Sequence, residues 1–199
     1  MTLILCWVAQ GSDSQMITYL PETPSQHGRA IEALFDSTFG PGHFAKTAER
    51  VREYSASLPD ITRVGVAGDD LVAVCRVWPI RIGGVDVLFY GPIAVAPEHQ
   101  GGRIGREVTE ASLQAGIDAG HGFACLIGAP PYFSRVGFEC VPAKSVGFPG
   151  PQDQNRVMLR RLAASPDTPF PTGPVTYPRD ARRAEATQRA YLRRARPVQ

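Results

Sequence analysis

Leu88 to Gly105 reads LFYGPIAVAPEHQGGRIG, and this stretch decides the fold. Its first half is apolar and rich in β-branched and aromatic residues, which suits a buried strand. The chain turns at Pro97, passes the polar residues Glu98, His99 and Gln100, and sets Gly101, Gly102 and Gly105 directly before a helical pattern. A strand feeding a glycine-rich turn and then a helix N-terminus makes an anion site. Unpaired backbone N–H groups converge there, where the helix dipole is positive.

Spacing separates the phosphate-binding motifs that share this description. A nucleotide P-loop needs Gly-Lys-Ser/Thr, and no such tripeptide occurs; Gly101, Gly102 and Gly105 do not supply G-x-G-x-x-G either. The better fit is Q-x-x-G-x-G/A, and GPIAVAPEHQGGRIG resembles the fourth strand and coenzyme A loop of the GNAT superfamily of N-acetyltransferases. APPYFSRVGF, Ala129 to Phe138, resembles that family's closing motif, an aromatic pair followed by x-R-x-G-F. The resemblance runs from about Met16 to Ala143, and the small bacterial acetyltransferases are the branch it most resembles. Two departures stand out. The usual Q-G-R-G-I-G is here Gln100, Gly101, Gly102, Arg103, Ile104, Gly105, so Arg103 holds the first signature glycine. Phe133 stands where the family has tyrosine, with Tyr132 one position earlier.

The resemblance implies an α/β (α+β) single domain, a mixed central sheet flanked by helices, that binds acetyl-CoA and an amine acceptor. It places the pyrophosphate on Gln100, Gly101, Gly102, Arg103, Ile104, Gly105 and Arg106, through backbone N–H groups and arginine charge. The pantetheine amides fall on the backbone of Ile93, Ala94 and Val95, an N–H near Val95 polarises the thioester, and Phe133 lines the coenzyme. Tyr132 is the one candidate for the acid that protonates the leaving thiolate. The general base stays unassigned among Glu98, His99, Asp36 and Glu32. Cys125, on a buried strand, makes a poor nucleophile because burial raises a thiol pKa, so direct attack of a primary amine is the expected chemistry. A coenzyme A-binding module without catalysis is the alternative, and a nucleotide-binding protein the third reading.

Composition is that of a globular chain. The 199 residues are 43% hydrophobic and carry a net charge of +2, too little to argue for nucleic acid or an anionic membrane. From Arg179 onward, seven arginines face Asp180 and Glu185, so the basic character lies in the tail. Cys6, Cys75, Cys125 and Cys140 form no C-x-x-C pair and read as reduced thiols, and the four scattered histidines show no metal spacing, so no metal is expected. No apolar run approaches the roughly 18 residues of a membrane span, and MTLILCWVAQGSDSQ lacks the basic start of a signal peptide. The cytoplasm is the expected compartment.

Along the chain, residues 1–15 read as an extension that pairs or swaps, or as an upstream start; residues 16–163 form the acetyltransferase domain. Thr23 and Pro24 start a helix whose face is Ile31, Leu34, Phe35 and Thr38. Phe44, Ala48, Val51, Tyr54 or Ser55, and Leu58 mark a second helix, with Lys46, Arg50 and Arg52 solvated. TRVGVA, LVAVCRVWPIRI and VDVLFYGPIAV make an antiparallel meander. Ile104, Val108, Ala111, Ala115 and Ala119 form a helical stripe stopped at Gly120, before the strand Phe123 to Ile127. QNRVMLRRL reads as the last strand. Residues 164–199 read as an irregular proline-rich segment and a basic tail, solvated or docked on a partner. A homodimer stays open.

Overall fold

The computed structural model describes residues 5–6, 16–40 and 55–177, with Leu5 and Cys6 described by their backbone alone. Its elements are β1 (Leu5–Cys6), β2 (Ile17–Pro21), α1 (Pro24–Phe39), β3 (Arg63–Ala67), β4 (Asp70–Ile82), β5 (Val85–Val95), α2 (Ile104–Asp118), β6 (Phe123–Ile127), the single turn α3 (Pro130–Phe133), β7 (Glu139–Cys140), β8 (Val146–Gly147), β9 (Val157–Arg161) and β10 (Gly173–Thr176). The sheet runs β1-β2-β3-β4-β5-β6-β9-β7. Its neighbours are antiparallel except β5 and β6, which α2 connects as a parallel pair. The sheet is mixed, as expected.

Period-2 alternation divides the core into two layers. Leu88, Tyr90, Ala124, Leu126 and Met158 face the side covered by α1 and α2. Trp78, Ile80, Phe89, Phe123, Cys125 and Leu159 face the other side, with Phe148 and Val175. Both faces are covered, which is why these strands read as continuous apolar runs. Cys75 and Cys125 are buried free thiols, whereas Cys140 is an exposed one.

Several local expectations change. The Thr23 hydroxyl makes no cap; the Thr23 N–H instead donates to His27 Nδ1 at 3.0 Å. In α2 the buried face is Ile104, Val108, Thr109, Ser112, Leu113, Ala115 and Gly116, while Ala119 is exposed. Small residues carry that face because Ser112 and Gly116 lie against β4 and Tyr90 of β5. The expected second helix falls mainly outside the described residues, but Leu58 is in a loop, where its N–H donates to Val77 O at 2.8 Å. Leu5–Cys6 pairs with β2.

The largest correction concerns the proline-rich segment, because β9 is not the last strand. Val175 and Thr176 of β10 pair antiparallel with Ile82 and Arg81 of β4, and β10 also pairs with β8. Arg161 lies over the Phe170 ring at 3.8 Å. One buried valine and two flanking aromatics hold this strand, too little apolar periodicity to be read among prolines.

Candidate functional site

β5 and β6 pair at Leu88 with Ala124 and Phe89 with Cys125, and then separate. Beyond Phe89 the ladder between β4 and β5 shifts register between Cys75 and Val77, opposite the Gly91–Pro92 step, where Trp78 Nε1 donates to Gly91 O at 2.7 Å. The ladder then resumes with Cys75 opposite Ile93, Val74 opposite Ala94 and Ala73 opposite Val95. Ala96 N–H donates to Val72 O at 2.8 Å, so by antiparallel alternation Ala94 also turns its N–H and C=O to β4. Ile93 and Val95 turn theirs the other way, into the V between β5 and β6. Ala94 itself pairs with Val74 in the ladder, and its side chain is core.

Gln100 closes the top of the V. Its side-chain Nε2 donates to Val95 O at 2.9 Å and its own N–H turns back to Pro97 O. It therefore braces the loop against β5, leaving Val95 N–H as the open donor at the strand's end. Gly101 sits at φ +82°, the left-handed conformation that favours glycine. Arg103, at the start of α2, has φ −89° and ψ −7°, an ordinary helical conformation that needs no glycine. The exchange of Gly102 and Arg103 relative to the family's pattern is thereby accommodated.

No side chain caps α2, and its first intrahelical bond is Glu107 N–H to Arg103 O at 2.9 Å. The N–H groups of Ile104, Gly105 and Arg106 precede that bond and point out of the helix end. Both loop arginines lean back along the helix: Arg103 to Glu107 at 3.6 Å, and Arg106 to Glu110 at 2.9 Å. Glu107 is fixed in turn by the Tyr19 hydroxyl, which donates to it at 2.9 Å. What this helix start offers an anion is thus backbone N–H groups and the helix dipole.

The two aromatics of α3 diverge. Phe133 packs on Gly128 and Phe138 and is part of the core wall. One residue after Tyr132 on a helical turn, its ring is half-buried and turned toward Gly128. Tyr132 is exposed, and its hydroxyl stands over Gly105 at the start of α2. Partial burial raises its pKa and the field of Cys75 adds to this, so the phenol is protonated at neutral pH.

No family model and no curated protein matches this sequence. Solved structures do. An Escherichia coli GNAT family N-acetyltransferase, YhbS, in complex with CoA superposes with a TM-score of 0.69 at 20% identity, covering 88% of this chain and 96% of that one. The chain has the GNAT N-acetyltransferase fold. A GNAT family acetyltransferase from Brucella melitensis in complex with acetyl-CoA gives a TM-score of 0.61 at 20% identity, over 83% of this chain and 97% of that one. The ribosomal-protein-S18-alanine N-acetyltransferase of Escherichia coli gives 0.53 at 13% identity, over 78% and 99%.

Within this GNAT fold one charged group escaped the sequence reading. Arg76 stands at the bulge of β4, buried, with Glu22 at 2.8 Å, Glu32 at 2.7 Å and the Phe35 ring at 5.6 Å. The signal was an arginine inside the apolar run LVAVCRVW. Of the candidate bases, Glu32 alone is tied to the bulge, through Arg76. Glu98 is exposed on the turn Pro97–His99, which also carries His99, and Asp36 is exposed on α1. Among the described residues there is no cluster of three or more metal-ligating side chains, and no helix long and apolar enough to cross a membrane. Burial pushes the Cys75 thiol up to about 12 and raises that of Cys125 as well. Neither is an available thiolate at neutral pH.

Proposed function

We propose that this protein is an N-acetyltransferase that moves an acetyl group from acetyl-CoA to a primary amine of a small molecule or protein, without a covalent enzyme intermediate, in the cytoplasm. The observation that carries the reading is the separation of β5 from β6 after Phe89. It leaves the Ile93 and Val95 backbone facing a V that ends at the uncapped start of α2. A pantetheine arm has two amides to pair with such an edge, and a pyrophosphate suits the N–H groups of Ile104, Gly105 and Arg106. The absence of a side chain at Gly105 keeps that approach open beneath Tyr132.

Acetyl-CoA supplies a thioester whose carbonyl carbon forms the new C–N bond as its C–S bond breaks, with the amine's proton passing to solvent and the thiolate leaving. Val95 N–H, directed into the V, polarises the thioester carbonyl as a fixed donor. The buried thiols of Cys75 and Cys125 stay protonated and take no part. Free Cys75, Cys125 and Cys140 suit a reducing compartment.

The inward turn of Phe133 favours one other reading, a GNAT-fold coenzyme A-binding module without catalysis, since no phenol occupies that position. Thermal denaturation with acetyl-CoA, ATP and NAD, followed by thiol release across an amine panel, tests both. Acetyl-CoA alone should raise the Tm, because a ligand of the native state stabilises it by mass action. Equal shifts from all three ligands would reduce the loop to a general anion site. Acetyl-CoA binding without turnover on any amine would favour the second reading.

A further inference from the structure

The bulge in β4 sets two carboxylates against one guanidinium. Arg76 donates from Nη2 to Glu22 Oε1 at 2.8 Å, from Nε to Glu22 Oε2 at 3.4 Å, and from Nη1 to Glu32 Oε1 at 2.7 Å. Glu22 is fully engaged, with both oxygens on Arg76 and its side chain out of solvent. Glu32 is not. Its Oε2 accepts no hydrogen bond among the described residues, and its side chain is half-exposed. The three groups together carry one net negative charge, and Glu32 is where that charge meets solvent.

This charge stands at the base of the V. The register shift around Arg76 lies opposite Gly91–Pro92, where β5 leaves β6. Arg76 turns toward α1, with its guanidinium over the Phe35 ring, whereas Cys75, the residue before it, meets Ser112 and Thr109 of α2. A buried ion pair adds little stability over apolar residues of the same volume. What it does fix is the position of a charge, here that of Glu32. Along β4, Arg76 is three residues from Ala73, the partner of Val95, which is about 10 Å at the rise of a strand. A general base must come within about 3 Å of the proton it takes. Glu32 is thus too far from an amine reacting at Val95 to be that base, and is at the range of a second charged group on the same molecule.

We propose that Glu32 binds a second cationic group of the acceptor, so that the protein prefers an amine whose other end is also positively charged over one whose other end is neutral or anionic. The inference rests on the acetyl-CoA reading above and adds to it a substrate class and the residue that selects it. The free oxygen of Glu32 can accept a charge-assisted hydrogen bond from an ammonium group. A carboxylate in the same place meets the net negative charge of the three groups and is rejected.

Steady-state thiol release at saturating acetyl-CoA and one fixed ionic strength tests it, on the full chain and on Glu32→Gln. The acceptors are the five-carbon α,ω-diamine, pentylamine and the five-carbon ω-amino acid. The wild type should favour the diamine by at least about tenfold in kcat/KM over each of the other two. Glu32→Gln keeps an oxygen for Arg76 and should bring that ratio below about threefold by raising the diamine KM, with its kcat held within about threefold. Calorimetry should find the acetyl-CoA affinity of the variant equal to that of the wild type, which separates lost recognition from lost folding. Equal kcat/KM for the three amines in the wild type, a preference that survives in Glu32→Gln, or a variant that also loses acetyl-CoA affinity would overturn the assignment. So would a fall in kcat with all three amines, which would make Glu32 the base. Turnover of none of the three by protein that binds acetyl-CoA would overturn it and leave the coenzyme reading standing; failure to bind acetyl-CoA would remove both.

Discussion

The Tyr132 hydroxyl lies 2.7 Å from the point where a β-carbon on Gly105 would stand, and Val95 Cγ2 lies 3.3 Å from the same point. The last signature glycine therefore makes room for the tyrosine of α3. Gly128 does the same for Phe133, whose ring, with Leu126 Cδ1 at 2.9 Å, fills the place of its missing side chain. The two glycines differ in what would have to move. Tyr132 is exposed and can swing aside, so Gly105→Ala should keep stability within about 1 kcal/mol, helped by the helix propensity of alanine, while weakening acetyl-CoA binding. Phe133 is locked against the core, so Gly128→Ala should cost about 1–3 kcal/mol. Urea denaturation compares them; equal losses would refute the distinction.

Tyr132 and Phe133 also decide what is expected of the leaving-group acid. The phenol faces the first turn of α2, and the position the family gives to tyrosine is a half-buried phenylalanine packed against the core. On the proposed chemistry a relatively good thiolate leaving group departs to water. Loss of a true general acid costs about 10² to 10⁴ in rate. Tyr132→Phe should instead lose less than about tenfold in turnover. A hundredfold loss with acetyl-CoA affinity unchanged would make Tyr132 the acid.

Arg103 tests whether the loop is impaired by its exchanged residues. Its backbone is helical and its side chain leans on Glu107, back along the helix from the proposed pyrophosphate seat. Arg103→Gly should therefore change acetyl-CoA affinity by less than about tenfold, or 1.4 kcal/mol. A hundredfold gain by calorimetry would show that the side chain obstructs the natural loop.

The buried ion pair at the bulge predicts a stability difference between two glutamates. Burial pulls the Arg76 pKa down, yet the fields and hydrogen bonds of Glu22 and Glu32 raise it on balance, so the guanidinium stays charged. Glu22 is buried with it, whereas the Glu32 side chain is 42% exposed. Removing the buried partner leaves a charge uncompensated in low dielectric, so Glu22→Ala should cost about 3–5 kcal/mol. Glu32→Ala, screened by solvent, should cost about 1 kcal/mol or less. Denaturant midpoints of the two variants rank them, and the reverse order would mean that Glu32 carries the arginine.

The strand, glycine turn and helix around Pro97 were legible because period-2 apolarity, proline and clustered glycines each act locally. The orientation of Ile93, Ala94 and Val95 was not, since it depends on the register shift opposite Arg76, a property of two strands together. The same holds for Tyr132 and Phe133: sequence places both on α3, but Gly128 and Gly105, from other elements, decide which ring goes in and which goes out. Arg76 itself was visible as a misplaced charge, though its partners lie 54 and 44 residues away.

Strand β10 gives the last expectation. The sequence boundary at Ala163 would detach Gly173–Thr176, yet these residues close the end of β4 and place Val175 in the second core layer beside Ile80 and Ile82. Phe170 and Tyr177 pack against the same layer. A chain ending at Ala163 would leave that face of the sheet open and lose Phe170 from Phe123 and Arg161. One buried valine and one aromatic together are worth roughly 3–6 kcal/mol of burial, comparable to the whole stability of a small domain. Truncation after Ala163 should therefore give aggregated or unfolded protein, while truncation after Pro178 should fold and keep its acetyl-CoA affinity, because the remainder offers little apolar surface. Size-exclusion chromatography and circular dichroism of the two truncations decide it: a folded shorter chain would show β10 to be dispensable, and an unfolded longer one would show that the arginine-rich tail is part of the fold.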